Sequence, residues 1–558
     1  MPNWLLLLGV VLAGIIGGGL FLGLAWYWIL LASILIPGAI IAYVLYVGYQ
    51  KIKPKPQTDI PCPPYSHPML GHPDRMLSPL KHELRLEVCD AARAMFHQLV
   101  FMNQSSVFIN DAEEAVRVLK KFQSKGDIYK VFRLNPEIPD VLASDGEEAF
   151  TRRSLFGPAL DSARLESQCL TDLMSWLERA AESKSVIDIS EVFSLLAFDI
   201  MSSFLFEYDL GALRGSEEGK ALLSSIRTLT DAQAKVGIYA DPNVRSISPE
   251  ELRKAQTDWR DYLVKMKSKV MADADECLSK NGVLSTEKFG HALKKLAENR
   301  AYTDQHIAAD IHQVFRHGYE CIAGTFVWIF YALAKHPKIR LKLQNDVAEW
   351  TQEGRTGYPE YLECIIKETF RRYPVAGNTT VRTVTDPESE LTGGAKVAIN
   401  TPLHVHMYSL HNTSREWDKP KEFIPERWLE PTGEEAKELS HPRCPFLAGD
   451  NNIYNGAGHV ENSLSFFPFS VGDRICLGQT LVLKALREVL FNVSARYHLR
   501  FVEKVWTEDL GVSQNAVIVP QLAQSKSMRV YRGKEVPKED QVDEGWADSD
   551  DESPNPAE

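Results

Sequence analysis

Between Pro2 and Gln50 the sequence contains no Asp, Glu, Lys or Arg. A single helix crosses the roughly 30 Å hydrocarbon layer in about 20 residues, so this stretch exceeds one simple span. Two helices, over residues 4–24 and 26–47, can cross and return, and one span plus an interfacial segment is the alternative. The basic start of a cleavable secretory signal is also missing, which predicts that residues 1–50 are retained as a transmembrane anchor. Lys51, Lys53 and Lys55 follow directly and predict a cytoplasmic location for everything downstream.

Cysteine is sparse. Eight positions, 62, 89, 169, 277, 321, 364, 444 and 476, lie scattered without the paired spacing of a zinc site or a disulfide scaffold. A reducing compartment fits that usage, and a functional cysteine must be argued from its neighbours. No basic stripe interleaved with aromatics occurs, so nucleic-acid binding gains no support. The net charge of -12 is concentrated: nine acids and no Lys or Arg fall in residues 539–558. Residues 536–558 therefore read as a solvated acidic tail without stable structure.

Proline, by contrast, is dense in residues 51–68, where six of them prevent regular helix or ladder pairing and predict a stiff hinge. Beyond it, helical periodicity dominates residues 163–182, 191–206, 247–279, 301–336 and 355–373. Strand-like pieces are short, such as residues 397–405 and 497–505. The expectation is a mainly α domain with small β-sheets, undivided over residues 69–535, with an exposed loop at residues 430–465.

The most informative segment is FSVGDRICLG, residues 469–478, which satisfies F-x-x-G-x-R-x-C-x-G at every fixed position. Such a loop can hold the Cys476 thiolate on a metal: Gly472 allows a tight turn, and Gly478 allows the next helix to approach. Arg474 can pair with an anionic group, and Phe469 can shield the sulfur. A buried structural cysteine in a glycine turn is the plainer alternative for this segment alone. Upstream, KETFRRYP sets Glu368 and Arg371 one helical turn apart, and FIPERW supplies Arg427.

Taken in this order, anchor, proline hinge, acid-bearing helix, E-x-x-R, P-E-R-W and cysteine loop, the chain resembles the cytochrome P450 superfamily of the eukaryotic microsomal type. The resemblance implies the cytochrome P450 fold and a haem b whose axial ligand is Cys476. It implies Arg153, Arg382 and Arg474 as propionate clamps, and Glu368, Arg371 and Arg427 as a structural network. The implied reaction is oxygenation of a lipophilic terpenoid, fatty acyl or sterol-like compound, in successive steps to an acid or in one. Electrons would come from NADPH through NADPH-cytochrome P450 reductase, with cytochrome b5 as a second donor, at the endoplasmic reticulum membrane. Lys484 and Arg487 are candidate docking residues for the reductase.

One departure matters. Counting back from Pro337 aligns Gly318 with the family's oxygen-activation motif, Glu320 with its acid, and Cys321 with its usual threonine. A thiol is a weaker donor than a hydroxyl, so proton delivery is expected to rely on Glu320, with Cys321 and Thr325, one turn further on, as further candidates, and Cys321 merely packing beside the haem as the alternative. His317 reads as a core histidine. Two other functions stay open: an isomerase or dehydratase working without reductase, and a non-catalytic haem-binding membrane protein. Lys130 and Arg133 are candidates for gripping a substrate carboxylate, with surface charge the commoner explanation.

Overall fold

The computed structural model describes residues 26–57, 59–68, 70–77, 81–91, 94–162, 165, 167–234, 245–377, 381–429, 465–502 and 528–533. Helix α1 (Trp26–Ile52) runs unbroken past Pro37. Its window Ile34–Lys51, mean hydropathy 1.3, is long and apolar enough to cross a membrane. The expected helix over residues 26–47 is thus extended by a turn, while the expected partner over residues 4–24 lies outside the described residues.

Two short helices follow, α2 (Pro73–Leu77) and α3 (Lys81–Ala91), then strands β1 (Phe96–Phe101) and β2 (Gln104–Ile109) and helix α4 (Ala112–Lys121). The strands form an antiparallel hairpin with Phe96 opposite Ile109. Next come α5 (Gly146–Asp161), α6 (Ser167–Ser183), α7 (Ile189–Phe206), α8 (Glu217–Ala234), α9 (Pro249–Asn281), α10 (Phe289–Glu298), α11 (Asp304–Lys335), α12 (Pro337–Gln352) and α13 (Glu360–Arg372). The chain then makes β3 (Arg382–Thr383), β4 (Glu390–Leu391), β5 (Ala395–Lys396), β6 (Pro402–Val405) and α14 (Met407–Asn412). It ends in α15 (Gln479–Arg496), β7 (Tyr497–Phe501) and β8 (Met528–Arg532).

The periodic stretches all become helices, because their ends carry stop signals. Ser248 accepts a hydrogen bond from the Glu251 N–H and Pro249 opens α9, which closes on Gly282 at φ 70°. Helix α11 has a Thr303–His306 capping box, and its residues 322–333 are buried on every side. With no polar face left there, that half of α11 belongs at the centre of the domain. Helix α7 packs along it through stacked Phe193 and Phe330, 4.9 Å apart, and edge-on Phe198 and Phe315, 4.8 Å apart. Helix α7 is also apolar enough for a membrane, with hydropathy 1.6, but 67% of it is buried within the domain.

The main sheet has the order β1-β2-β6-β3. Of the strand expected over residues 397–405, only Pro402–Val405 pairs, since Asn400 at φ 63° turns the chain just before it. The β1–β2 hairpin went unread in the sequence, although FHQLVF and QSSVFI flank a turn at Met102. The expected loop at 430–465 lies outside the described residues except for Ser465, and so does the acidic tail.

Candidate active site

The loop 469–478 enters from the core and ends where α15 begins. Phe469 lies edge-on to Phe370, 5.1 Å away, and its carbonyl accepts the Cys476 N–H at 2.9 Å. Gly472 has φ 78°, a left-handed conformation that L side chains rarely adopt, so the turn favours glycine, although a Cβ would make only ordinary contact with Leu119 and Lys120. Gly478 is different from expectation. Its φ is -87°, and an added Cβ would meet only Cys476 Sγ at 4.0 Å, so close helix approach does not require it. Its absent side chain instead leaves room around the sulfur.

Cys476 sits at the N-terminus of α15, where the backbone N–H groups of Gly478 and Gln479 point at its sulfur. Burial raises the thiol pKa, while Gly478, the Arg153 charge and Gln479 oppose the rise. A cation bound to the sulfur would complete deprotonation. The residue keeps the accessible surface of an exposed side chain, yet protein surrounds it, so its thiol opens onto an internal cavity.

Helix α11 forms the facing wall. Between its buried residues, Val314, His317, Gly318, Glu320 and Cys321 are half-buried. Cys321 feels the charge of Cys476, and burial holds its own thiol far above the usual range. Thr325, the next turn, is closed off and donates its hydroxyl to the Cys321 carbonyl at 2.8 Å. Glu320 accepts hydrogen bonds from Arg316 and from Thr230 on α8, both at 3.2 Å. Gly318 faces α7, where a Cβ would collide with Met201.

Three predicted arginines converge behind the cysteine loop. Arg474 donates to the Leu142 and Ser144 carbonyls at 2.9 and 2.8 Å, and Arg153 donates to the Ile475 carbonyl. Arg382, on β3, is wholly buried. Sequence reasoning missed Lys125, which joins them; it carries no motif that would single it out. Its Nζ is buried without a hydrogen-bond acceptor among the described residues, 4.7 Å from the Tyr129 ring. Burial, then Arg382, Arg474 and Arg153, push the Lys125 pKa well below its ordinary value. The same burial and mutual repulsion bring Arg153 down to about 10, and burial brings Arg382 to about 10. Asp145 offsets part of this charge but already accepts from the Ser124 hydroxyl and the Lys125 N–H. So much buried positive charge calls for an anion of more than one charge. A haem, with two propionates and an iron that takes a thiolate, fits this donor set.

The adjacent Arg152 does something else. It turns into the core, forming ion pairs with Asp310 of α11 and Glu148. Ala149, one turn before Arg153 on α5, is also buried.

The Glu368 network is fully formed. Arg371 holds both carboxylate oxygens at 3.0 and 2.8 Å, Arg427 reaches one at 3.2 Å, and the Ile424 N–H and Trp428 indole donate at 2.8 and 2.9 Å. Arg371 also donates to the carbonyls of His411, Pro420 and Glu422. Burial alone would raise the Glu368 pKa, but Arg371, its hydrogen bonds and Arg427 outweigh it and hold the carboxyl below its ordinary value. Lys130 pairs with exposed Asp127 at 3.1 Å, and Arg133 donates to the Pro136 and Ala143 carbonyls. Arg487 is likewise engaged, bridging α15 to Glu363 of α13 at 2.5 Å. Lys484 donates to the Asp161 carbonyl at 3.3 Å.

Comparison with known proteins agrees with this geometry. A family model described as Cytochrome P450 matches residues 61–522. The rat steroid 17-alpha-hydroxylase/17,20 lyase is 25% identical over 357 residues, covering 60% of this chain and 62% of that protein. The hamster protein of the same name is 29% identical over 207 residues, only 36% of each chain. Pea cytochrome P450 97B1, chloroplastic, is 24% identical over 432 residues, 69% of this chain and 76% of the relative. Among solved structures, the cytochrome P450DA heme domain superposes with a TM-score of 0.63 at 16% identity, over 85% of this chain and 98% of that one. A zebra fish cytochrome P450 with abiraterone gives 0.62 at 16% identity, over 81% and 99%. With a family match over most of its length and a mainly helical fold shared with those structures, the chain belongs to the cytochrome P450 family.

Proposed function

We propose that this protein is a membrane-anchored haem-thiolate monooxygenase that oxidises a lipophilic small molecule. The observation that carries the reading is the pairing, behind one cavity, of the Cys476 thiol with the buried cations Lys125, Arg153, Arg382 and Arg474. Cys476 would be the axial ligand, and the cations would clamp the propionates. When bound, such a haem supplies dioxygen activation, favoured by electron donation from the thiolate.

The chain's own residues then divide the remaining work. Phe469 and the α15 N-terminus shield and orient the sulfur. On the distal side, Glu320 holds a proton-accepting carboxylate between Arg316 and Thr230, and Cys321 presents a thiol to the cavity. Thr325 braces the Cys321 carbonyl and keeps α11 in register. Residues 1–50 would anchor the protein in the endoplasmic reticulum, residues 51–68 would act as hinge, and residues 69–535 would form the haem domain in the cytoplasm. Electrons would come from NADPH through a membrane-bound reductase, with cytochrome b5 as a second donor. The relatives' names point to sterol-like substrates, in line with terpenoid or fatty acyl alternatives.

A second reading, rearrangement or dehydration without a reductase, is favoured by Cys321 alone, because a thiol is a poor proton donor at that place. Turnover of a lipophilic panel with reductase, measuring NADPH and O2 consumed per product, separates the two. The monooxygenase reading expects one of each per oxygenation. Product formed without either would overturn it.

A further inference from the structure

His317, read from the sequence as a core histidine, is enclosed by protein and yet keeps accessible surface. It lies on α11 one turn before Cys321, which is near enough to Cys476 to feel its charge, and like Cys321 it keeps accessible surface. Unlike the neighbouring His312, which is 1% exposed and bonded to the Trp259 indole, it keeps accessible surface. Its Nδ1 lies 3.2 Å from the Gln313 carbonyl. A carbonyl can only accept, so Nδ1 carries the hydrogen and Nε2 is left with a bare lone pair. Burial, reinforced by Arg316, lowers the ring's pKa to about 4, which keeps that lone pair available at neutral pH. A histidine that donates its other N–H to a backbone carbonyl has the arrangement that orients metal-ligating imidazoles.

We infer that His317 Nε2 would supply a nitrogen ligand to the haem iron in the resting enzyme, and that substrate must displace it. The inference rests on the haem-thiolate reading above. No covalent or redox step is involved: a nitrogen lone pair enters the sixth coordination position in place of water, and leaves it again without proton transfer. Gln313 acts as the positioning residue, through its backbone. Such a ligand keeps the iron closed to small molecules until the cavity is filled, and it offers a reason for an imidazole where only apolar packing would otherwise be needed.

The test uses the full-length holoprotein and its spectra. The ferric absorption and electron paramagnetic resonance of the unsubstituted protein are compared with those of His317→Ala and His317→Gln. The expected result is a nitrogen-thiolate low-spin signature that both variants lose, with a Soret band moving to the shorter wavelength of a water-ligated iron. Free imidazole added to His317→Ala should restore the signature, while the unsubstituted protein should respond weakly to it. The thiolate-type Soret band of the reduced carbon monoxide complex confirms in each variant that the haem pocket is intact. Identical ferric spectra in all three proteins, or equal responses to imidazole, would overturn the ligand. Absence of the thiolate-type carbon monoxide band from the unsubstituted protein would instead overturn the haem-thiolate reading itself, and the inference with it.

Discussion

Lys125 illustrates how a single residue can be stabilising or destabilising depending on what surrounds it. Its ammonium is buried beside Arg153, Arg382 and Arg474, a placement that costs the haem-free protein free energy and is offset only by an anion. Lys125→Met should therefore have opposite effects in the two states. Haem retention should weaken by about 1.5–3 kcal/mol, the worth of a hydrogen bond to a charged group, measured as faster haem loss to a scavenging globin. Denaturant unfolding of the haem-free protein should shift to a higher midpoint. A haem-free protein that loses stability would contradict the assignment. At Thr325, similarly, the hydroxyl that sequence made a candidate proton donor is spent on the Cys321 carbonyl.

Helix α13 and the P-E-R-W turn (Pro425–Trp428) act as one element through Glu368. All of its hydrogen-bonding capacity is used, and two arginines depend on its charge. Glu368→Gln keeps the shape but leaves buried guanidinium groups unpaired, with an expected loss of about 3–5 kcal/mol, read from the denaturation midpoint and folded yield. The pH dependence has a definite sign. Because the folded carboxyl lies below its ordinary value, its stabilisation is present at neutral pH and is lost as the pH falls through the carboxylate range. The variant should lose that part of the acid sensitivity. Helix α11 shows another element-level division: its second half is buried and packs the core, whereas the stretch around His317 and Cys321 keeps accessible surface.

At the scale of the whole molecule, α1 stands apart: its described side chains from Ile34 to Val47 include a long exposed apolar run, whereas those of α7 are packed. Removing residues 1–50 should shift the protein from the membrane pellet to the supernatant, in a flotation or sedimentation assay, while the remaining chain still binds haem. Loss of haem binding on truncation would show that the proposed division at residues 51–68 is wrong. The relatives at 22–29% identity match between 36% and 69% of this chain, so they inform the family and leave the substrate to experiment.

Local physical signals were sufficient for much of this protein. The uncharged start, the helical periods, the glycine-favouring turn at Gly472 and the E-x-x-R pair each act within a few residues, so the amino-acid order alone determined them. Long-range placement was not available to it. Lys125 and Arg382 are separated by hundreds of residues and meet where the Ser124 and Lys125 carbonyls accept the Thr383 N–H and hydroxyl, tying the segment after α4 to β3. In the same way, Arg152 and Arg153 are indistinguishable as neighbours in TRR, yet helix geometry sends one to Asp310 and the other to the cysteine loop. The engagement of Arg487 was likewise decided by the Glu363 carboxylate that the fold set opposite it. A side chain's charge and hydrogen-bonding capacity are written in the sequence, but the partner that uses them is chosen by packing.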